Sequence, residues 1–309
     1  MTVDDELQAA ILTWFDGARR DLPFRSTRDP FAILVSEAMA QQTQAARAGV
    51  AWTRFIALWP TPASLAAANL ADVLRAWQGL GYNRRALNLW RTARQIVDVH
   101  GGEVPADVAT LETLPGVGPY TARAVAAIAF GMPVGAVDTN VRRVLSRLLF
   151  GDAAGPPPVE LQRVADAAVP RDRPESWTHA LMDLGATICT PRRPACAGCP
   201  ARQWCAYAGD TGRAAVIRRA GRSTGRAPRT AFPETSRWLR GRIIDTLRSA
   251  PNDAWVVIDG PIGSHDRRAV AVALRALARD GLVELADAAV SAPGHGKDES
   301  AVRARLAVG

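Results

Sequence analysis

The chain has 309 residues, a formal net charge of +8 at pH 7, a pI near 10.3 and four cysteines. That length holds two or three modest domains, and the basic balance favours an anionic partner such as nucleic acid, although arginine with abundant alanine also fits a GC-rich coding sequence. One lysine occurs, Lys297, so the first 296 residues exclude any mechanism that needs a side-chain amine; no run of about eighteen apolar residues exists to span a membrane.

The N-terminus MTVDDELQAA is acidic and lacks the pattern of a cleavable leader, which points to the cytoplasm. Leu7, Ile11, Trp14, Phe15 and Ala18 recur at helical spacing and predict a helix over 4–19, ended by Asp21-Leu22-Pro23. Residues 25–30 read as a polar loop, followed by one helix over 31–48. Glu37 lies there in the otherwise apolar run FAILVS-E-A, and an acid in that position needs a reason. Shorter helical patterns at 51–59, 64–68 and 70–78 are separated by Pro60, Pro62 and Asn69. Gly79-Leu80-Gly81 breaks the pattern, and 84–99 resumes it with Leu87, Leu89, Ile96 and Val97 facing a core. No convincing strand alternation occurs before residue 209, so this region is all-α.

The stretch LPGVGPYTARAVAAIAFGMPVGAVDTNVRRV, 114–144, organises the rest. Gly116 and Gly118 flank Val117 between helix-like segments, and that spacing lets the backbone turn tightly and aim N–H groups at an anion. Taken alone, LPGVG is equally an ordinary turn with two glycines. Pro119 suits a first helical turn, the apolar run 122–130 suits a buried helix, and Gly131 and Pro133 end it. Asp138 opens the next helix as an N-cap, an active-site acid, or both. Further helices are predicted to about residue 150, at 160–169 and at 176–187.

Cys189, Cys196, Cys199 and Cys205 follow as C-x6-C-x2-C-x5-C and account for every cysteine. In a reducing cytoplasm they are metal ligands rather than disulfides. One loop with a single close pair suits a cubane iron–sulfur cluster better than the paired knuckles of zinc, which stays the alternative. Arg192 and Arg193 fall inside the first interval, where a folded loop would offer them to a phosphate. Residues 211–230 hold six arginines and no acid, and read as a solvated basic linker that also touches DNA phosphates. Residues 233–309 read as a small winged-helix-like module, with helices marked by Trp238, Leu239, Ile243, Ile244 and Leu247 and by 269–278, strands at 255–258 and 282–285, and a mobile tail after Ala292.

With hairpin, Asp138 and cysteine spacing in this order, residues 1 to about 209 resemble the helix-hairpin-helix DNA glycosylases of the endonuclease III type. Within them, SEAMAQQTQ at 36–44 and GLGYNRRALNL at 79–89 look most like the MutY-type adenine DNA glycosylases. The resemblance implies an iron–sulfur cluster domain over 1–28 and 135–209, a six-helix domain carrying the hairpin over 29–134, a basic linker over 210–232 and the small module over 233–309. It implies a [4Fe-4S] cluster on the four cysteines and a mispaired DNA duplex as partner, with the protein a monomer. Glu37 would protonate the adenine ring nitrogen, and Asp138 would stay ionised beside the oxocarbenium-like sugar, two carboxyls in different environments as in glycoside hydrolysis. Tyr120 and Asn140 would orient the reacting centre. Tyr120 fills the position of the lysine of the lyase branch, which implies a monofunctional enzyme. Gln42 and Tyr82 would wedge into the duplex while the base is extruded, and Gly116 and Gly118 would hold a phosphate, with a monovalent cation at the hairpin.

The chain departs from the family pattern at Phe24 in LPF, Ala40 in MAQQT and Asn83 in GLGYN. Residues 233–309 are too few and too helical for the Nudix-like domain that reads 8-oxoguanine in relatives, which implies weaker preference for 8-oxoguanine over guanine. Two other readings compete. One is a mismatch glycosylase for thymine or uracil opposite guanine; the other is a non-catalytic iron–sulfur DNA-binding protein, for which a buried acid and a hairpin-anchored carboxylate have no use.

Overall fold

The computed structural model describes residues 3–152, 155–208, 230–286 and 302–309. Several helix starts follow side-chain capping. Asp4 accepts from Leu7 N–H at 2.9 Å to open α1 (Asp5–Ala18), and Asp29 accepts from Ala32 N–H at 2.7 Å to open α2 (Pro30–Ala40), with Pro30 in its first turn. The single helix expected over 31–48 is two: the backbone turns through Gln42, whose φ is 54°, before α3 (Ala45–Leu58) begins. Periodicity continues across the break, which is why the sequence concealed it.

Next come α4 (Pro62–Ala66) behind the Thr61/Ser64 capping box, α5 (Leu70–Ala76) capped by Asn69, α6 (Arg84–His100) and α7 (Val108–Leu111) capped by Asp107. After them come α8 (Pro119–Phe130), α9 (Thr139–Phe150), α10 (Pro158–Ala167) and α11 (Pro174–Thr187). Among the described residues no strand precedes residue 209. The C-terminal region holds α12 (Ser236–Arg248), β1 (Val256–Ile258), α13 (Arg267–Arg279), β2 (Val283–Leu285) and β3 (Val302–Leu306).

Contacts divide the chain into two units, Met1–Gln41 with Val104–Gly225, and Gln42–Glu103 with Arg226–Gly309. In the first, α1, α9 and α11 enclose Leu7, Ile11, Phe15, Leu145, Leu148, Trp177 and Leu184. Alanine-rich α8 is buried at Ala122, Ala124, Ala126 and Ala127, and its small side chains accept close packing by α2 and α11.

In the second unit α6 packs on α4 and α5, and Phe55 meets the rings of Trp59 and Trp77 edge-on. The C-terminal region belongs to this unit, where α12 packs on α13 and on α5. The tail expected to be mobile contains β3, the middle strand of an antiparallel sheet of order β1-β3-β2. Ala304 and Leu306 are 0% and 2% exposed there, an alternation too short to stand out in sequence. Of the basic stretch expected over 210–232, residues 210–229 lie outside the described residues.

Candidate active site

The first unit brings Glu37, Tyr120 and Asp138 together. Glu37 sits on the face of α2 that packs against α8, and Gln41 Nε2 donates to Thr121 Oγ1 at 3.2 Å, pinning the end of one helix to the start of the other. Burial raises the Glu37 carboxyl from 4.5 to about 7; the Tyr120 hydrogen bond opposes this, the charge of Asp138 adds to it, and Arg25 opposes it. Tyr120 enters from the first turn of α8. Burial first, then the charges of Glu37 and Asp138, hold its phenol well above 10, so it is a neutral donor to Glu37, and its hydroxyl also lies 3.9 Å from Met182 Sδ.

Asp138 is indeed the N-cap of α9: its Oδ1 accepts from Val141 N–H at 2.7 Å and its Oδ2 from Asn140 Nδ2 at 3.1 Å. Asn140 Oδ1 in turn accepts from Arg143 Nη2 at 2.8 Å, and Arg143 donates to the Gly185 and Cys189 carbonyls, each at 2.7 Å. A Cβ on Gly185 would stand 2.7 Å from Asn140 Cβ and 3.2 Å from its backbone, so only glycine lets α11 come this close to the start of α9.

Sequence reasoning missed a second charged group in the same unit. Asp183, fully buried, takes both Nη atoms of Arg25 at 2.5 and 2.7 Å and the Nε of Arg20 at 2.5 Å. Burial pushes its carboxyl up, but the Arg25 hydrogen bonds and charge, then Arg20, hold it below its ordinary value. Beside it, burial and then Arg25 lower His179 to about 3, so its ring is neutral at pH 7. Arg20, Arg25 and His179 line a cavity of about 440 Å³ with Arg28, Glu175 and Ser176. The reasoning that singled out Glu37, an acid inside an apolar helical run, applies equally to Asp183 in ALMDLG.

At the hairpin, Gly116 has a φ of 78°, which requires glycine, whereas Gly118 is extended with nothing within 4 Å of where a Cβ would stand. That open space leaves the backbone approachable. Arg192 and Arg193 are exposed. In the second unit, the two residues expected to wedge are the two non-glycine residues with positive φ among those described, Gln42 at 54° and Tyr82 at 47°. Their turns are tied together by Arg85, whose Nη2 donates to Thr43 Oγ1 at 3.2 Å and to the Leu80 carbonyl at 2.9 Å.

The four cysteines are free thiols, half-buried on one loop. Burial and, less strongly, the other three cysteines push Cys199 up to about 11. Arg147, 2% exposed, donates to Cys189 Sγ at 3.5 Å and to the Thr190 and Pro191 carbonyls. The donor set, four thiols from one loop with a buried guanidinium behind them, fits an anionic thiolate cluster. Yet no three His, Cys, Asp or Glu side chains among the described residues are gathered as metal ligands.

Residues 35–171 match the HhH-GPD superfamily of base excision DNA repair proteins. The chain is 46% identical over 248 residues to the adenine DNA glycosylase of Mycobacterium tuberculosis H37Rv, covering 78% of each, and 41% identical over 292 residues to that of Mycolicibacterium smegmatis, covering 93% of this chain and 96% of the relative. Among solved structures, endonuclease III in a non-covalent complex with DNA superposes with a TM-score of 0.58 at 28% identity, over 67% of this chain and 95% of that one. On that family match and those identities, the chain belongs to the HhH-GPD superfamily of base excision DNA repair proteins and, within it, to the adenine DNA glycosylases.

Proposed function

We propose that the protein removes adenine mispaired with 8-oxoguanine or guanine by hydrolysing the N-glycosidic bond of an extruded nucleotide, without lyase chemistry. The observation that carries this is Glu37, a carboxyl kept protonated near neutral pH by burial, with Tyr120 and Asp138 beside it. As the C1′–N9 bond breaks, its electron pair moves into the purine, and the Glu37 proton lets the base leave neutral. The Asp138 carboxylate stabilises the sugar cation, to which water then adds. Tyr120 orients Glu37, and Asn140 orients Asp138. Tyr120 has no amine to form a Schiff base, which supports a monofunctional enzyme.

Mispaired duplex DNA is the partner. Gly116 and Gly118 take a phosphate of the target strand, with a monovalent cation at the hairpin, Arg192 and Arg193 take further phosphates, and Gln42 and Tyr82 fill the gap left by the base. Cys189, Cys196, Cys199 and Cys205 would hold a [4Fe-4S] cluster, which when bound would staple their loop and contributes to no step of the excision. By function rather than packing, 1–28 with 135–209 is the cluster domain, 29–134 the helical domain that carries the hairpin and 210–232 the linker. The order helix, strand, helix, strand, strand, with the last strand in the middle, supports a winged-helix-like module over 233–309. The proposal takes the protein to act as a cytoplasmic monomer at the nucleoid; among the described residues no helix is long and apolar enough to cross a membrane.

Single-turnover base release from A:8-oxoG, A:G, T:G and U:G duplexes tests the assignment. Adenine release from the first two is expected. Release of only thymine or uracil would move the assignment to the other bases, and tight binding with no release would favour a binding module.

A further inference from the structure

The C-terminal module reaches Tyr82 directly. Arg237, in the first turn of α12, donates from Nη1 to the Tyr82 hydroxyl at 2.6 Å. Its guanidinium also lies over the Tyr82 ring at 4.7 Å and over the Phe232 ring at 5.1 Å. The last turn of the same helix holds the next residue: Arg248 Nη2 donates to Asn83 Oδ1 at 2.8 Å, while its Nε donates to the Leu74 carbonyl at 2.9 Å. Arg75 donates back to the Arg248 carbonyl at 3.1 Å. Asn83, where the family pattern has a second tyrosine, is thus, with the Leu74 carbonyl, one of the acceptors that seat the end of α12.

We propose that Arg237 is the positioning residue of Tyr82, and that through it the small C-terminal module sets how well the enzyme excises adenine from each mispair. This rests on the reading of Tyr82 as the side chain that enters the duplex. Tyr82 is 41% exposed, and its backbone occupies a left-handed conformation that a tyrosine rarely adopts. An exposed aromatic side chain left to itself would have to be aimed at the moment the base leaves, at a cost in ordering. A planar cation stacked on the ring and bonded to the hydroxyl aims it beforehand. A helix gripping both Tyr82 and Asn83 gives the module a route to the duplex through a side chain it does not itself contain. If A:8-oxoG is held by additional contacts to the oxidised base, A:G depends more on a wedge aimed in advance.

The test uses the full chain under single-turnover, saturating conditions on A:8-oxoG and A:G duplexes, with Arg237→Ala, Arg237→Lys, Tyr82→Ala and the Arg237→Ala/Tyr82→Ala double variant, each checked by thermal melting. Arg237→Ala should slow A:G excision about tenfold, the size of one lost charge-assisted hydrogen bond, with a smaller loss on A:8-oxoG. Arg237→Lys should recover part of the rate, since it keeps a cationic donor, and stands in for the alanine variant should that fail to fold. In the double variant the arginine change should add nothing to the tyrosine change, a non-additivity that a merely structural role would not produce. Slow Tyr82→Ala with normal Arg237 variants, or additive effects, would overturn the proposal and leave the wedge standing. A normal rate for Tyr82→Ala would remove the wedge reading and this proposal together.

Discussion

Glu37 is proposed to donate a proton that also bears on stability. Its carboxyl is raised from 4.5 to about 7 chiefly by burial, so the folded state prefers the neutral form. Below pH 4.5 the acid is protonated in both folded and unfolded chains; between 4.5 and about 7 the unfolded chain releases a proton that the native one retains, and stability is lost as pH rises through that window. At about 1.4 kcal/mol per pH unit the gap amounts to about 3 kcal/mol by pH 8. Glu37→Gln should therefore abolish excision yet raise the melting temperature at pH 8, with little gain at pH 4.5, and the wild-type single-turnover rate should fall above pH 7. Equal melting shifts at both pH values would show that the carboxyl is not held neutral. This residue was legible because an acid in FAILVS-E-A conflicts with its neighbours. Tyr120 came to the same site only through the resemblance, and the Asp183–Arg25 group not at all, since both pairs join residues more than 80 positions apart in sequence.

At the scale of the element, the carboxylate proposed to stabilise the sugar cation is also the N-cap of α9, Asp138. Asparagine caps as well as aspartate, so Asp138→Asn should keep the bond to Val141 N–H and the melting temperature while losing the carboxylate and the excision rate. Asp138→Ala should lose the rate and also about 1 kcal/mol of stability. Comparing denaturation with single-turnover rates for the two variants separates the cap from the chemistry. Most helices were legible from apolar spacing and from the prolines, glycines and Asn69 between them, and Asp138 was legible as a cap; the short α7 behind Asp107 was not expected. The break between α2 and α3 was not: Gln42 carries no glycine or proline signal for its positive φ, and the apolar spacing runs on past it.

For the molecule as a whole, the last residues close a long loop of chain. β3 inserts between β1 and β2, and the Val308 carbonyl accepts from Leu70 N–H at 3.2 Å, a contact no local pattern could announce. Ala304 faces inward at 0% exposure, so Ala304→Asp buries a charge between strands, at a cost on the order of 3 kcal/mol or more. Limited proteolysis of that variant should begin within the C-terminal module, and its A:G excision should fall as for Arg237→Ala. Wild-type proteolysis and wild-type rates would show that the sheet does not support α12.

The thioether of Met182 lies 3.9 Å from the Tyr120 hydroxyl. Peroxide would turn that weak acceptor into a sulfoxide, whose oxygen competes strongly for the phenolic hydrogen that Glu37 now receives. Oxidative stress would then blunt a repair enzyme at the very time its lesions accumulate, until a reductase restores the sulfur. Met182→Leu should make excision resistant to peroxide; inactivation at the wild-type pace in that variant would place the vulnerable atom elsewhere.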